Sequence, residues 1–193
     1  MPRPAMYDTD LLLDTAARIV ASAGVGGLSV KAVVRVSGAP SGSVYHRFPT
    51  GAALNGALWV RTLERFHAGL LPLLAADDAV EACVDAARYV LTWSRAHPDE
   101  AHVLLAGPAA YLPDRWTADQ TARNAELGSA LRAAIGNVAR RLEPAEHASD
   151  KVVIAVIDLP YAIVRRYLDA NTEIPHHVEQ LVATSARAIV TPP

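Results

Sequence analysis

The 193-residue sequence has one cysteine, Cys83, so it can form neither an intrachain disulfide nor a cysteine-based metal cluster. A single cysteine suits a reducing cytoplasm. No stretch approaches the roughly 18–20 apolar residues that a membrane helix needs. Residues 1–14 carry acids where a signal peptide would be basic and then apolar. We therefore expect a cytoplasmic protein with no membrane partner.

Patterns of catalytic and metal-binding residues are also missing. His176 and His177 are adjacent and point to different faces, and His97 and His102 are five apart rather than the four that align two ligands on a helix. The sequence contains neither a glycine-rich phosphate loop nor a Gly-x-Ser-x-Gly elbow. We expect a protein that is not an enzyme and that binds no metal or cofactor.

The composition favours helices, because 37 alanines accompany many leucines and arginines, all strong helix formers. Apolar residues recur at helical spacing and predict an all-α fold with about nine helices. The apolar run Val152–Ile157 also fits a buried strand. Since no second strand could pair with it, helix is the better interpretation.

Several helix starts carry capping residues. We expect Asp8 or Thr9, Ser29 and Thr50 to cap three N-terminal helices. A capping-box spacing joins Asp77 to Glu81, and a similar pair, Thr117 with Gln120, opens a helix that should end near Glu143.

Three short helices before a long one, with a glycine turn at Gly38, predict helix-turn-helix geometry. In the third helix, from about Pro40 to Phe48, Val44 and Phe48 are four apart and should both face inward. Modules of this shape also occur in proteins that never bind DNA, so the geometry alone leaves both readings open.

Residues 28–54 read LSVKAVVRVSGAPSGSVYHRFPTGAAL. This stretch resembles the TetR (tetracycline-repressor-like) family of bacterial transcriptional regulators. The residues that match the family signature in order and spacing are Gly38, Gly42, Tyr45, Phe48, Pro49 and Leu54. The resemblance covers about residues 9–58, and beyond them it lies only in helix number and length. It implies a helix-turn-helix DNA-binding domain at 1–50 and a helical ligand-binding and dimerisation domain at 51–193.

The module also holds the positive charge, since residues 1–50 sum to +2 and residues 51–193 to −4. The residues that we predict to contact DNA lie on or beside the second and third helices: Lys31, Arg35, Ser41, Gly42, Ser43, Tyr45, His46, Arg47 and Thr50.

Four positions depart from the family pattern. Gly51 and Ala52 replace the lysine and glutamate that begin the fourth helix, and Pro40 and Ser41 replace a cap serine and a basic residue. Each lost phosphate contact should flatten the salt dependence of binding by about 0.9 in log–log slope per half-site. We therefore expect weak binding of DNA.

The resemblance further implies a small-molecule pocket in the larger domain. Aromatic and polar residues that fall on the appropriate helices and loop are Trp93, His97, His102, Tyr111, Trp116, Asn124, Tyr161 and Arg165. Pro160 should kink the helix near Tyr161 and open space. For any single one of these aromatic residues, a place in the core is the commoner explanation.

A homodimer interface is the second implied feature. We expect two C-terminal helices to form a four-helix bundle across a two-fold axis through apolar stripes that comprise Val152, Val153, Val156, Val178, Leu181, Val182, Ser185 and Ile189. Alternatively, both stripes pack inside the monomer.

The sequence thus predicts a ligand-responsive regulator, a repressor, that binds a near-palindromic double-stranded operator as a homodimer and leaves it when a small-molecule effector binds. The alternative is a small-molecule sensor whose helix-turn-helix binds DNA weakly or not at all.

Overall fold

The computed structural model describes residues 8–142 and 147–191, and within these ranges the chain forms ten α-helical segments and no β-strand. The segments are α1 (Thr9–Ala23), α2 (Val30–Ser37), α3 (Ser41–Arg47), α4 (Gly51–Leu74), α5 (Ala79–Ala96), α6 (Pro98–Leu105), α7 (Ala118–Arg141), α8 (Ala148–Val153), α9 (Leu159–Asp169) and α10 (His176–Val190). The predicted all-α fold class is confirmed. No helix within the described ranges combines the length and the apolar character needed to cross a membrane.

By compactness the chain divides into two units. Met1–Leu63 with Asp99–Asn124 forms the first, and Glu64–Pro98 with Ala125–Pro193 forms the second. The predicted boundary between a DNA-binding and a ligand-binding domain, at residues 50 and 51, concerns function rather than compactness, and it stays a prediction.

The predicted caps of the N-terminal helices are confirmed. An Asp8 carboxylate oxygen accepts from the Leu11 amide at 2.8 Å, and the Ser29 and Thr50 hydroxyl oxygens accept from amides three residues on, each at 3.1 Å. Each bond satisfies an amide that has no partner within its own helix. Sequence therefore defines the starts of α1, α2 and α4.

Of two later helix starts, the predicted cap is confirmed for one and wrong for the other. The capping box of α7 is confirmed: the Thr117 amide donates to Gln120 at 3.2 Å, and the Gln120 amide donates to the Thr117 hydroxyl at 3.3 Å. The predicted Asp77 cap of α5 is wrong by one residue, because the Asp78 carboxylate accepts from Glu81 at 3.0 Å. The Glu81 side chain pairs with Arg187 of α10 instead of returning to the cap. Helix α7 ends at Arg141, and the predicted end near Glu143 lies outside the described residues.

In the second unit, α5 packs against α9 and α10. The ambiguous run Val152–Ile157 is helical, since α8 passes through a π-helix, Ile154–Asp158, directly into α9. Counted as one continuous helix, residues 148–169 bring the number of helices in the described chain to the predicted nine. The Leu159 amide bonds to the Ile154 carbonyl, five residues back, just before Pro160, whose nitrogen has no proton to donate.

Candidate nucleic-acid interface

The turn between α2 and α3 requires a left-handed residue. Gly38 ends α2 at φ +69° and ψ +7°, and its amide donates to the Val34 carbonyl at 3.1 Å. Glycine adopts this conformation without the steric cost that a Cβ imposes. After the turn, Ala39 is buried, so the chain re-enters the core before α3 begins.

Two apolar anchors orient α3. Val44 is 0% exposed and Phe48 is 3% exposed, which confirms that both face inward. In the first unit α1 packs against α2, and α2 packs against α3. The buried anchors leave the opposite side of α3 to solvent.

That outer side carries four of the predicted DNA contacts. Ser41, Gly42, Tyr45 and His46 are exposed, and Tyr45 keeps 48% of its surface accessible. Hydroxyl and imidazole groups of this kind can donate to phosphates or base edges, and a B-DNA major groove admits one α-helix. The exposed side of α3 therefore carries groups that can form hydrogen bonds with DNA.

The remaining α3 candidates are engaged with each other. Arg47 donates from Nη1 to the Ser43 carbonyl at 3.1 Å and to the Ser43 hydroxyl at 2.6 Å. The Arg47 side chain must break these two bonds before it can extend fully toward a base or a phosphate. Sequence spacing could have suggested the pair, because residues four apart are neighbours on a helix.

Flanking groups complete the surface. Lys31 and Arg35 are exposed on α2, and Thr50 is exposed while its hydroxyl caps α4. Gly51 begins α4, and a Cβ added there would meet nothing within 4 Å. The amino end of α4 carries amides that suit a phosphate, but Gly51 supplies no side chain to reinforce the contact.

The predicted pocket residues of the second unit do not converge on one site. Trp93 is buried, with its ring centroid 5.0 Å from Phe66 and 5.2 Å from His97. Tyr161 and Arg165 instead lie on an exposed side of α9, where the guanidinium stacks 5.0 Å above the phenol ring. The aromatic cluster at Trp93 is therefore separate from the exposed pair.

The predicted pocket residues of the first unit are mostly bonded within that unit. Trp116 donates to the Tyr111 carbonyl at 2.8 Å, and Trp59 donates to the Asn124 side chain at 2.8 Å. The buried Tyr111 hydroxyl donates to Val103 at 3.1 Å, and burial raises its pKa well above the usual range. His102 is half-buried on α6. Tyr111 and Trp116 here serve the packing of α6 and the α6–α7 connection, and a ligand contact by any of the eight stays a prediction.

Sequence reasoning missed His67 of α4. The residue is 3% exposed, its Nδ1 has no hydrogen-bond partner, and burial lowers the pKa of its imidazole. Its position within an otherwise apolar helical stripe was the available signal. An unsatisfied buried ring nitrogen lowers the stability of the fold, so packing alone does not explain a histidine at this position.

The predicted interface residues separate into two groups. Val152, Val156, Val178 and Val182 are buried within the chain's own second unit, as the alternative reading expected. Val153 and Ile189 are half-buried, whereas Leu181 and Ser185 are exposed, Leu181 by 61%. Any partner surface on these helices therefore depends on the outward residues.

The described helices define a helix-turn-helix protein with a second, helical unit. Among solved structures, the fold is similar to PfmR, a TetR family transcriptional regulator from Thermus thermophilus, with a TM-score of 0.76, 14% identity and 98% of each chain covered. It is also similar to the ketosteroid transcriptional regulator KstR2 of Mycobacterium tuberculosis (TM-score 0.76, 17% identity, 99% of this chain and 100% of that one). A third similar structure is the fatty acid degradation regulator FadR from Bacillus halodurans (TM-score 0.72, 12% identity, 96% and 100% covered).

No family model and no curated protein matches the sequence. At these identities the likeness to solved structures establishes the fold. The chain has the fold of TetR-family transcriptional regulators, and the fold implied by residues 28–54 is confirmed.

Proposed function

We propose that this protein is a ligand-responsive transcriptional regulator, a repressor, which binds a near-palindromic operator as a homodimer and is released by a small-molecule effector. The observation that carries the proposal is the exposed outer side of α3, held outward by the buried anchors Val44 and Phe48. Solved structures of the same fold are transcriptional regulators, which supports the same class of activity here.

Some contacts to DNA would fix the register of the protein on the duplex, and others would read the base sequence. Tyr45 and the amino end of α4 would contact phosphates, while Ser41 and His46 would reach base edges. Lys31 and Arg35 supply the charge next to the groove. Because long basic side chains are few, specificity would depend on how accurately α3 enters the groove.

A second copy of the chain is the proposed partner. Helix α10 packs against α8, the π-helix and α9, and three large apolar side chains are exposed on these elements: Ile154 by 45%, Tyr161 by 37% and Leu181 by 61%. Small residues beside Leu181, such as Ser185, would let two helices approach closely. A single helix-turn-helix reads few base pairs, so two copies would be needed for an operator.

Effector control would act through the conformation that presents α3. As proposed, effector binding in the larger domain shifts α4, changes the spacing of the two recognition helices and lowers operator affinity. Linkage then requires that the operator lower effector affinity by the same factor. Two proteins of this fold are named for fatty acid degradation and for ketosteroids, which supports a small-molecule effector.

The direct test is selection of duplexes from a random DNA library by the full-length protein, followed by a gel shift with the winning sequence and with the DNA flanking its own gene. Enrichment of an inverted repeat bound by two copies would support the proposal. Matched variants are Tyr45→Phe, which removes one hydroxyl, and His46→Ala. Absence of any enriched sequence would refute operator binding.

The alternative function is a small-molecule sensor that does not regulate transcription through DNA. Two observations favour it: Gly51 offers no cation at the start of α4, and Arg47 is bonded to Ser43. A library of metabolites screened by thermal shift would separate the two. A protein that gains stability with a ligand but selects no duplex is the sensor.

A further inference from the structure

One buried arginine joins three helices of the first unit. Arg61 lies on α4 and is 9% exposed, and three carboxylates surround its guanidinium. Nη1 lies 2.7 Å from Asp14 and 3.5 Å from Asp10, both on α1, and Nη2 lies 3.2 Å from Glu100 on α6. Nη1 also donates to the Asp10 backbone carbonyl at 3.0 Å.

The two sides of this cluster differ in burial. Glu100 keeps only 9% of its side-chain surface accessible, whereas Asp14 keeps 51%. Ion pairs of largely buried groups are screened less by salt than exposed pairs. Arg61 Nε is buried without a partner, so the guanidinium is held by its two terminal nitrogens alone.

We propose that Arg61 is a positioning residue for operator binding, which bonds α6 to the start of α1 and thereby fixes the orientation of the helix-turn-helix. Contacts lead onward from α1 to α2 and from α2 to α3. Glu100, Arg61 and Asp14 therefore set the angle at which Tyr45 and His46 meet a groove. This inference rests on the proposed DNA binding.

The charge of Glu100 makes the test sharp. Glu100→Gln removes a negative charge and would by charge alone strengthen binding to a polyanion. If the same variant binds its operator more weakly, the loss must come from misplaced helices. Because Asp14 still neutralises Arg61, the variant avoids the uncompensated buried charge that Arg61→Ala would create around Glu100.

The experiment compares Glu100→Gln and Asp14→Asn with a matched control, Glu81→Gln, which breaks the exposed Glu81–Arg187 pair in the second unit. Amide hydrogen exchange of α1–α3 is measured without DNA. Affinity is then measured for a duplex selected by the wild-type protein and for a scrambled duplex of equal length.

We expect both cluster variants to exchange the α1–α3 amides at least tenfold faster than wild type, and the control to exchange them at the wild-type rate. Affinity for the selected duplex should fall at least tenfold, while affinity for the scrambled duplex stays equal or rises. Unchanged exchange, or selected-duplex affinity at or above wild type, overturns the positioning role. A wild-type protein that selects no duplex instead refutes the proposed function, and the exchange result still decides whether Arg61 orders the helix-turn-helix.

Discussion

Gly51 offers the sharpest test of how this protein would hold DNA. It begins α4, is exposed, and a Cβ placed there would meet nothing within 4 Å. A lysine at this position therefore costs no packing and places an ammonium beside the amides at the amino end of α4. We predict that Gly51→Lys adds one phosphate contact per half-site.

The magnitude follows from counterion release. Each added contact steepens the slope of log affinity against log salt by about 0.9, so a dimer gains about 1.8. At about 0.15 M salt, one added contact corresponds to about a fivefold gain in affinity, and two correspond to about thirtyfold.

Fluorescence anisotropy of a labelled duplex, titrated at four or more salt concentrations, measures both quantities. Gly51→Gln is the matched control, since it adds a side chain of similar reach without charge and should leave the slope unchanged. Because the added contact is to phosphate, a scrambled duplex should show the same steepening. A Gly51→Lys slope equal to that of wild type would refute the placement of this helix end against the backbone of DNA.

Three further predictions concern the fold. Gly56→Ala should lower the free energy of unfolding by about 1–3 kcal/mol, because its Cβ would lie 3.0 Å from Trp116 Cγ and would displace the Gln120 side chain from its bond to the Ala53 carbonyl. Gly136→Ala, whose Cβ would lie 3.6 Å from its nearest neighbour, should raise the free energy of unfolding by about 0.5–1 kcal/mol. Chemical denaturation measures both. Stability should fall as pH drops through about 6.5, by up to about 1.4 kcal/mol per pH unit, because burial holds the pKa of His67 down in the folded chain while the unfolded chain takes up the proton. His67→Leu should remove that part of the dependence, and an identical pH profile in the variant would contradict it. Burial raises the pKa of Cys83 to about 11, so a thiol reagent at pH 8 should label the unfolded protein and leave the native one unlabelled.

Local signals in the sequence were sufficient for most of the fold. Ser29 and Thr50 define helix starts through bonds to amides three residues away, and Gly38 defines a turn through its own backbone, so none of them depends on distant contacts. The burial of Val44 and Phe48 follows from helical spacing in the same way. Each of these features is determined by residues that lie a few positions apart in the chain.

Features that depend on distant partners were not predictable. The cap of α5 is a different, local error, because the capping-box spacing is three residues and joins Asp78, not Asp77, to Glu81. Spacing gave no hint that Arg61 would meet Glu100, 39 residues away, since charged residues at such separations have no periodic relation. The apolar stripes of the last helices likewise do not reveal which side meets the chain's own core, and Val178 and Val182 turned out to be internal.

In the proposed function, charge alone cannot provide specificity for an operator. The whole chain carries −2, and residues 1–50 carry only +2. Non-specific affinity for DNA comes mainly from phosphate neutralisation, so a sparse basic surface gives a weak background. The affinity for a specific site would then depend mainly on the correct placement of exposed side chains such as Tyr45 and His46. A protein with few cations must hold its recognition helix more rigidly than a strongly basic protein, because little non-specific affinity remains when the helix is misplaced. As proposed, the buried Arg61 cluster, which joins α1, α4 and α6, would supply that rigidity where long basic residues are few.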